Sequence, residues 1–237
     1  MLLTIAAVAD IHSPRFLSLF KKALDNVRLS DCNVFILAGD LVEKGKVFHA
    51  KALFDLLYKK FKGPIIATFG NEDYEEIEPK LREYFPEVIW LNDQYYDLTI
   101  NDFKIRIIGS RGVLEKPTPW QAKNIPNIKN IYYRRIKLLE AMLRSSPNPT
   151  ILVTHYAPTF KTLKGEPPSI WVYMGSRKME NIISKYRPLA VIHGHAHKSV
   201  IEKVIINDVP IFNVSLPAFG KIFRISVSTK ETLLAYL

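Results

Sequence analysis

The chain has 237 residues and a mass of 27.2 kDa, and 48% of its residues are hydrophobic and 24% charged. This composition excludes a disordered chain, and the length predicts a single domain over residues 1–237. The single Cys32 excludes an intrachain disulfide and a thiolate metal cluster. A chain with one cysteine is typical of the reducing cytoplasm.

The apolar run at the start of the chain, residues 1–9, ends at Asp10. It is well short of the roughly 18 residues that a membrane span needs. It also lacks the basic beginning and the small-residue cleavage site that a secretion signal has. The sequence therefore predicts a cytoplasmic protein with no membrane span.

The formal net charge of +10 is unevenly distributed along the chain. Residues 1–120 contain 16 Lys and Arg against 17 Asp and Glu, whereas residues 121–237 contain 17 against 6. Such an excess attracts anionic partners, phosphate-bearing ligands above all. A lysine-rich surface that keeps the protein soluble explains the excess at least as well.

Short apolar runs alternate with amphipathic stretches of helix length. The predicted strands cover residues 2–9, 34–38, 64–69, 103–108, 151–154, 189–192, 204–206 and 210–214. The predicted helices cover residues 16–27, which follow Ser13 and Pro14 as the helix start, and residues 47–61, 128–143 and 179–186. The alternation predicts an α/β fold with buried strands, and long loops at residues 112–127 and 158–169.

Metal-binding residue types follow five of the predicted strands. In chain order they are Asp10, His12, Asp40, Asn71, His155, His193, His195 and His197. Ligands of open α/β sheets bind beyond the carboxyl ends of the strands, so we expect these side chains to converge. Imidazole and carboxylate groups suit Mn, Fe, Zn, Co or Ni, and one carboxylate can bridge two cations. The pattern predicts two divalent transition-metal ions, with manganese favoured.

These residues resemble, in order and spacing, the sequence blocks of the calcineurin-like metallophosphoesterases. The blocks here are Asp10-Ile11-His12, Gly39-Asp40, Gly70-Asn71, His155 and Gly194-His195-Ala196-His197. The resemblance implies a four-layer α/β/β/α sandwich with two mixed β-sheets. It implies two sets of metal ligands joined by Asp40 as the bridge: Asp10, His12 and His197 for one ion, and Asn71, His155 and His195 for the other.

The resemblance also implies a phosphoesterase that works by attack of a metal-bridging hydroxide on a phosphate ester. The predicted catalytic residues are Asp40, Glu72 and His155, and the predicted substrate-binding residues are Asn71, Arg111 and Arg15. An ordinary surface arginine is the simpler explanation for Arg15 and for Arg111. The expected substrate is a small phosphate ester or a nucleotide.

Glu72 departs from the pattern of the family, which often has a histidine after Gly-Asn that contacts the phosphate or protonates the leaving group. A glutamic acid donates a proton at neutral pH only if its pKa is raised well above about 4.3. The alternative is a carboxylate beside Asp73 that caps the loop. A carboxylate here repels a dianionic monoester more than a monoanionic diester, which favours phosphodiesterase over monoesterase activity.

The segment 116–138 is basic, contains no Asp or Glu, and includes Trp120, Tyr132 and Tyr133. It predicts a weak nucleic-acid contact, and the alternative is a solvated helix face with Tyr132 packed inward.

Sheet edges and uneven charge permit a homodimer without requiring one. Two alternatives to a phosphodiesterase remain: a catalytically silent interaction scaffold of the same fold, which normally lacks metal ligands, and a nuclease, for whose extra domains this length leaves little room.

Overall fold

The computed structural model describes residues 2–100 and 103–228, in which eleven strands form two sheets. The strands are β1 (Leu2–Val8), β2 (Val34–Ala38), β3 (Ile65–Thr68), β4 (Val88–Leu91), β5 (Gln94–Ile100), β6 (Phe103–Ser110), β7 (Thr150–Thr154), β8 (Ala190–His193), β9 (Lys203–Ile206), β10 (Val209–Asn213) and β11 (Phe223–Ser228). The predicted domain end at residue 237 lies outside the described residues.

Both sheets are mixed, as predicted. The first has the order β11-β1-β2-β3-β4, with β1 to β4 parallel and β11 antiparallel to β1. The second has the order β5-β6-β7-β8-β10-β9, with antiparallel strands at its two edges and four parallel strands between them. The parallel strands carry their carboxyl ends, and the loops that follow them, to one edge of each sheet.

Helices cover the outer faces of the two sheets. They are α1 (Leu17–Asn26), α2 (Ala50–Lys60), α3 (Glu78–Tyr84), α4 (Pro119–Asn124), α5 (Ile128–Arg144), α6 (Lys178–Tyr186) and α7 (Leu216–Phe219). Successive residues of a strand point to opposite faces, so Ala6 of β1 packs with α1 and α2, whereas Ile5 packs between the sheets. In β7, Ile151 faces the first sheet and Leu152 packs with α5 and α6. These three apolar layers confirm the four-layer sandwich.

Several short elements were not predicted from the sequence: β4, β5, β11, α3, α4 and α7. Strand β5 lies at a sheet edge and is mostly exposed, so it has no apolar alternation. Helix α4 lies inside the predicted loop 112–127, where Thr118 and Gln121 form a reciprocal capping box. The Thr-x-x-Gln spacing is a recognised signal for a helix start, and it was available in the sequence.

The predicted beginning of the first helix at Ser13 and Pro14 is wrong, because α1 starts at Leu17. Ser13 instead forms an isolated bridge with Val42, and its hydroxyl donates to the carbonyl of His49 at 2.8 Å. These contacts hold residues 13–16 as a turn after the first strand. Across residues 2–100 and 103–228, no helix has both the length and the apolar character to cross a membrane.

The helix layer over the first sheet depends on Phe54 of α2, which is fully buried against the rings of Phe85 and Trp90. We expect Phe54→Ala to lower the free energy of unfolding by about 3–5 kcal/mol, because the cavity cannot be refilled. Phe48→Ala is the control, since Phe48 is 66% exposed, and its effect should stay within about 0.5 kcal/mol. Urea denaturation measures both, and equal losses would contradict this packing.

Candidate metal centre

The loops after five parallel strands bring the predicted metal ligands to one place. Asp10 and His12 follow β1, Asp40 follows β2, Asn71 follows β3, His155 follows β7, and His195 and His197 follow β8. Backbone hydrogen bonds join neighbouring loops: His12 N–H donates to Asp40 O at 2.9 Å, and Gly194 N–H donates to His155 O at 3.2 Å. Across the two sheets, the backbone N–H of His195 donates to the Asp10 carboxylate, so the loops of both sheets meet at a common edge.

The Asp and His side chains form two groups that could hold metal ions. The first contains Asp10, His12, Asp40 and His197, and the second contains Asp40, His155 and His195. Within each group, one ligand atom from every residue lies within 4.8 Å of the others. Asn71 adjoins the second group, because its Oδ1 lies 3.2 Å from His155 Nε2. The grouping has the form that the resemblance implied, with Asp40 common to both groups.

Asp40 Oδ2 is the oxygen that both groups share. It lies 3.5 Å from His12 Nε2 and 3.3 Å from His155 Nε2. The other carboxylate oxygen, Oδ1, accepts a hydrogen bond from Glu72 N–H at 2.7 Å, which fixes the orientation of the carboxylate. Imidazole nitrogens and carboxylate oxygens at this spacing fit a pair of divalent transition-metal ions, and no soft ligand competes with them.

Hydrogen bonds behind the ligand atoms orient the side chains. His155 Nδ1 lies 3.1 Å from the carbonyl of Ala38, to which it can only donate, so Nε2 is the nitrogen that carries the lone pair when the imidazole is neutral, and it faces Asp40 and Asn71. The Asp10 carboxylate accepts from His195 N–H at 2.8 and 3.1 Å. Most of the centre is buried, whereas the His197 side chain is 33% exposed, so the centre opens to solvent at this residue.

The backbone of the centre has an unusual conformation. Asp10, His12, Asp40 and His195 all have positive φ values, between 41° and 70°. This left-handed region is uncommon for residues other than glycine and is found more often at functional sites. At Gly70 a Cβ atom would collide with the Asp40 carboxylate, so only glycine allows this approach. Contact with the Asp40 carboxylate thus explains why glycine precedes Asn71.

Burial and neighbouring charges shift the pKa values of the ligands in opposite directions. Burial lowers the pKa of His155, but the charge of Asp40 and a hydrogen bond to it outweigh burial and raise that pKa to about 9. Burial dominates at His195 and lowers its pKa to about 3. Burial opposes ionisation of Asp10, yet His197 and His155 together hold its pKa below the usual range. Without metal, one imidazole is therefore cationic and another neutral at pH 7.

Asp73 is a residue of the centre that the sequence analysis missed. Its fully buried carboxylate accepts hydrogen bonds from Leu41 N–H at 2.9 Å, Val42 N–H at 3.1 Å and Gly70 N–H at 3.0 Å. Burial and the charge of Asp40 raise its pKa to about 6. It joins the loop that carries Asp40 to the loop that carries Asn71. No spacing pattern distinguishes it, because only the fold brings the two loops together.

Arg111 is only 7% exposed, so the explanation of Arg111 as a surface residue is wrong. Its guanidinium donates to the carbonyl of Gly70, to the carbonyl of Asp73 at 2.6 Å and to the Glu78 carboxylate at 2.6 Å. These bonds support the Asn71 loop from behind. A contact between Arg111 and substrate remains a prediction.

Glu72 and Arg15 lie on the loops of the centre. The Glu72 carboxylate accepts from Lys44 N–H at 2.8 Å, which fits the loop-capping alternative. Arg15 is exposed, and its guanidinium lies 5.0 Å from the centre of the Phe16 ring. The backbone N–H of Arg15 donates to the carbonyl of His12 at 2.7 Å. The catalytic role of Glu72 and the substrate contact of Arg15 remain predictions.

A comparison with protein-family models matches residues 3–199 to the calcineurin-like phosphoesterases. Since this match covers most of the chain, the protein belongs to the calcineurin-like phosphoesterase family. Members of the family bind two divalent metal ions, in agreement with the two Asp/His groups. A comparison with curated protein sequences gives no match.

Three solved structures share the fold at low sequence identity. The phosphopantetheinyl hydrolase of Mycobacterium tuberculosis has a TM-score of 0.70 and 15% identity, over 94% of this chain and 95% of that one. The protein TT1561 of Thermus thermophilus has a TM-score of 0.62 and 15% identity, over 96% and 100%. A dimetal phosphatase of Danio rerio has a TM-score of 0.59 and 10% identity, over 94% and 91%. At such identities these likenesses show the fold alone.

The division into two groups predicts how single substitutions change metal content. We expect His12→Asn and His195→Asn to lower the bound manganese by about one ion per chain, because each removes a ligand from one group only. Asp40→Asn should lower it by more, since Asp40 belongs to both groups. Metal analysis after equilibrium dialysis measures the content of each variant.

His49→Asn is the matched control, because His49 is the histidine of this chain that lies outside the strand ends. Its metal content should equal that of the unmodified protein. If Asp40→Asn lost no more metal than His12→Asn, Asp40 would not be shared between the two groups.

The raised pKa of His155 predicts that metal binding releases a proton. At pH 7 this imidazole is protonated in the metal-free protein, because its pKa is about 9, and it must lose the proton to become a ligand. Apparent metal affinity should therefore rise from pH 6 to about pH 9 and then level off. Calorimetric titration with manganese in two buffers of different protonation enthalpy counts the protons, and no release at pH 7 would contradict the prediction.

Proposed function

We propose that this protein is a phosphodiesterase whose centre holds two divalent transition-metal ions. The observation that carries the proposal is the position of Asp40 Oδ2, within 3.5 Å of an imidazole nitrogen from either ligand group. A carboxylate in this position can bridge two cations. The Asp and His ligands fit Mn, Fe, Zn, Co or Ni, of which manganese is the first to test.

Under this proposal the side chains of the chain hold and orient the reactants. Two divalent ions, when bound, polarise the phosphate and lower the pKa of water. With ions bound, His12, His195 and His197 would supply neutral imidazole nitrogens as ligands, and the contact with Ala38 would leave Nε2 of a neutral His155 free to be a ligand as well. The Asn71 amide oxygen lies 3.2 Å from that nitrogen, which supports its proposed roles as a metal ligand and as a contact for the phosphate.

Arg15 is a better candidate for binding the phosphate than Arg111. The Arg111 guanidinium already donates to Gly70, Asp73 and Glu78, so those bonds would have to break before it contacted substrate. The Arg15 guanidinium is exposed, and none of the ion pairs among the described residues involves it. Its guanidinium lies 5.0 Å from the centre of the Phe16 ring, and that ring lies 6.1 Å from the His12 ring, so its charge lies near the candidate metal centre.

A diester is favoured over a monoester because of Glu72. Its backbone N–H binds Asp40, so this residue is adjacent to the centre, and it supplies a carboxylate where the family often has an imidazole. A carboxylate repels a dianionic monoester more strongly than a monoanionic diester. Six of the seven ligands that the resemblance implies lie in two groups, and the seventh, Asn71, contacts the second group, which argues against the silent scaffold. The cytoplasmic location and the homodimer remain proposals.

The charge of Glu72 should set the preference for diesters, so Glu72 variants should change it. Wild type should hydrolyse bis(p-nitrophenyl) phosphate with a higher kcat/KM than p-nitrophenyl phosphate, which has the same leaving group. Glu72→Gln keeps an oxygen that can accept from Lys44 N–H but removes the charge, so the diester-to-monoester ratio should fall by about tenfold. Glu72→His should lower the ratio further by adding a proton donor.

Glu76→Gln serves as the control, because Glu76 is an exposed carboxylate four residues further along the chain. It should leave the ratio unchanged. A ratio that is the same in wild type, Glu72→Gln and Glu72→His would defeat the electrostatic argument. Absence of any hydrolysis by manganese-loaded wild type would defeat the proposed function itself.

A further inference from the structure

A surface groove of about 970 Å³ lies between the junction of α4 with α5 and the turn Pro168–Tyr173. Its apolar surface comes from Leu114, Ile125 and Ile128, and the ring of Tyr132 contributes to the lining. The groove has the volume of sites that take small-molecule and nucleotide ligands. It lies outside the two Asp/His groups.

Four lysines, Lys116, Lys123, Lys129 and Lys178, line the groove. All four are exposed, and within residues 2–100 and 103–228 their ammonium groups have no ion pair or hydrogen bond. The acidic residue of the lining is Glu115. Its carboxylate already accepts from the Ser176 hydroxyl at 2.9 Å and from Arg177 N–H at 3.1 Å. The groove is therefore a concentration of unpaired positive charge.

Two exposed aromatic side chains lie on the same helices as these lysines. Trp120 is 65% exposed on α4, and Tyr133 is 62% exposed on α5. Trp120 and Lys123 are three residues apart, so they share a face of α4. Tyr132 is buried, as the solvated-helix alternative expected, and Arg135 pairs with Asp93, so neither is free for a ligand. Of the basic segment 116–138, Trp120, Tyr133 and its groove lysines are therefore among the side chains left exposed.

Short connections join the groove to the metal centre. Lys116 is five residues beyond Arg111 in the chain, so the two Cα atoms are at most about 18 Å apart. The carbonyl of Arg111 in turn accepts from the backbone N–H of Tyr156 at 2.9 Å. The Tyr156 ring lies 5.0 Å from the His195 ring.

Buried hydrogen bonds make a second connection between the two sites. The Tyr132 hydroxyl donates to Gln121 Oε1 at 3.0 Å, and Gln121 Nε2 donates to the Tyr156 hydroxyl at 3.2 Å. The groove and the centre are therefore close enough for a chain of a few nucleotides to contact both.

We propose that the groove binds a single-stranded oligonucleotide, one of whose phosphodiesters lies at the metal centre. Lysines from a loop and from three helices attract successive phosphates, and Trp120 stacks on a base. A compact nucleoside polyphosphate carries its phosphates in one cluster, so it would contact fewer of the four lysines than a strand with phosphates spaced along the groove. This proposal rests on the proposed phosphodiesterase function and names its substrate class.

Binding can be measured apart from hydrolysis, by the fluorescence anisotropy of labelled decathymidylate with the full-length chain in EDTA. Four phosphate contacts predict an affinity that falls about 50-fold between roughly 50 and 200 mM salt, since single strands give a slope of about 0.7 per phosphate. The variant Lys116→Gln, Lys123→Gln, Lys129→Gln and Lys178→Gln should bind about tenfold or more weakly at low salt and lose most of this dependence.

The matched control removes the same net charge elsewhere, with Lys51→Gln, Lys60→Gln, Lys185→Gln and Lys221→Gln, whose lysines pair with acids outside the groove. It should bind nearly as well as wild type. Trp120→Ala should weaken binding by about 5- to 150-fold, whereas Tyr84→Ala, at an exposed aromatic residue of α3, should not. Circular dichroism of every variant confirms that it is folded.

Equal binding by the two lysine variants, or binding of ATP as tight as that of decathymidylate, would overturn the proposal. A manganese-loaded protein that cuts bis(p-nitrophenyl) phosphate but binds no decathymidylate would also overturn it while leaving the phosphodiesterase intact. Lysine-dependent binding of decathymidylate without hydrolysis of any ester would instead overturn the proposed function and support oligonucleotide binding in the groove.

Discussion

The Asp40 carboxylate lies between two groups of imidazole nitrogens, almost fully removed from water. Burying an ion costs several kcal/mol unless opposite charges and hydrogen bonds compensate. Here the compensation comes from Glu72 N–H, from protonated His155 in the metal-free protein and, we propose, from two metal ions in the active one. The rest of the centre is arranged so that this single carboxylate can serve both sides.

The surrounding structure supports that arrangement at a cost in local backbone energy. Four ligand-bearing residues adopt left-handed backbone conformations, and such conformations persist only where neighbouring contacts enforce them. At Asp40, Asp73 supplies such contacts, because its carboxylate accepts from Leu41 N–H and from Gly70 N–H and so joins the loop after Asp40 to the loop that carries Asn71. Arg111 supports the second of these loops through its bond to the carbonyl of Gly70. The two sheets hold the loops in place, since every ligand follows a buried parallel strand.

Much of this could be predicted from the sequence because strand ends have a simple signature. An apolar run that stops at Asp10 or at His155 marks both a buried strand and its polar end, and the family resemblance supplied the pairing of the ligands. Asp73 could not be found in this way, because its partners are distant in the chain and its role appears only when two loops meet. Strand β5 was missed for a different reason: an exposed edge strand does not need an apolar face.

Charge was the least specific of the sequence signals. The basic second half of the chain contains lysines that pair with acids, such as Lys185 with Glu140, as well as lysines that line the groove without a partner among the described residues. Composition cannot separate these two kinds of lysine, whereas the fold does so directly. Arg111 shows the converse, because an arginine expected at the surface is buried behind the metal centre.

Anomalous diffraction from crystals of the protein soaked in manganese tests the central claim most directly. The account predicts two anomalous peaks about 3.5–4 Å apart, one beside His12 and the other beside His155, with Asp40 Oδ2 between them. A single peak, or two peaks of which only one contacts Asp40, would contradict it.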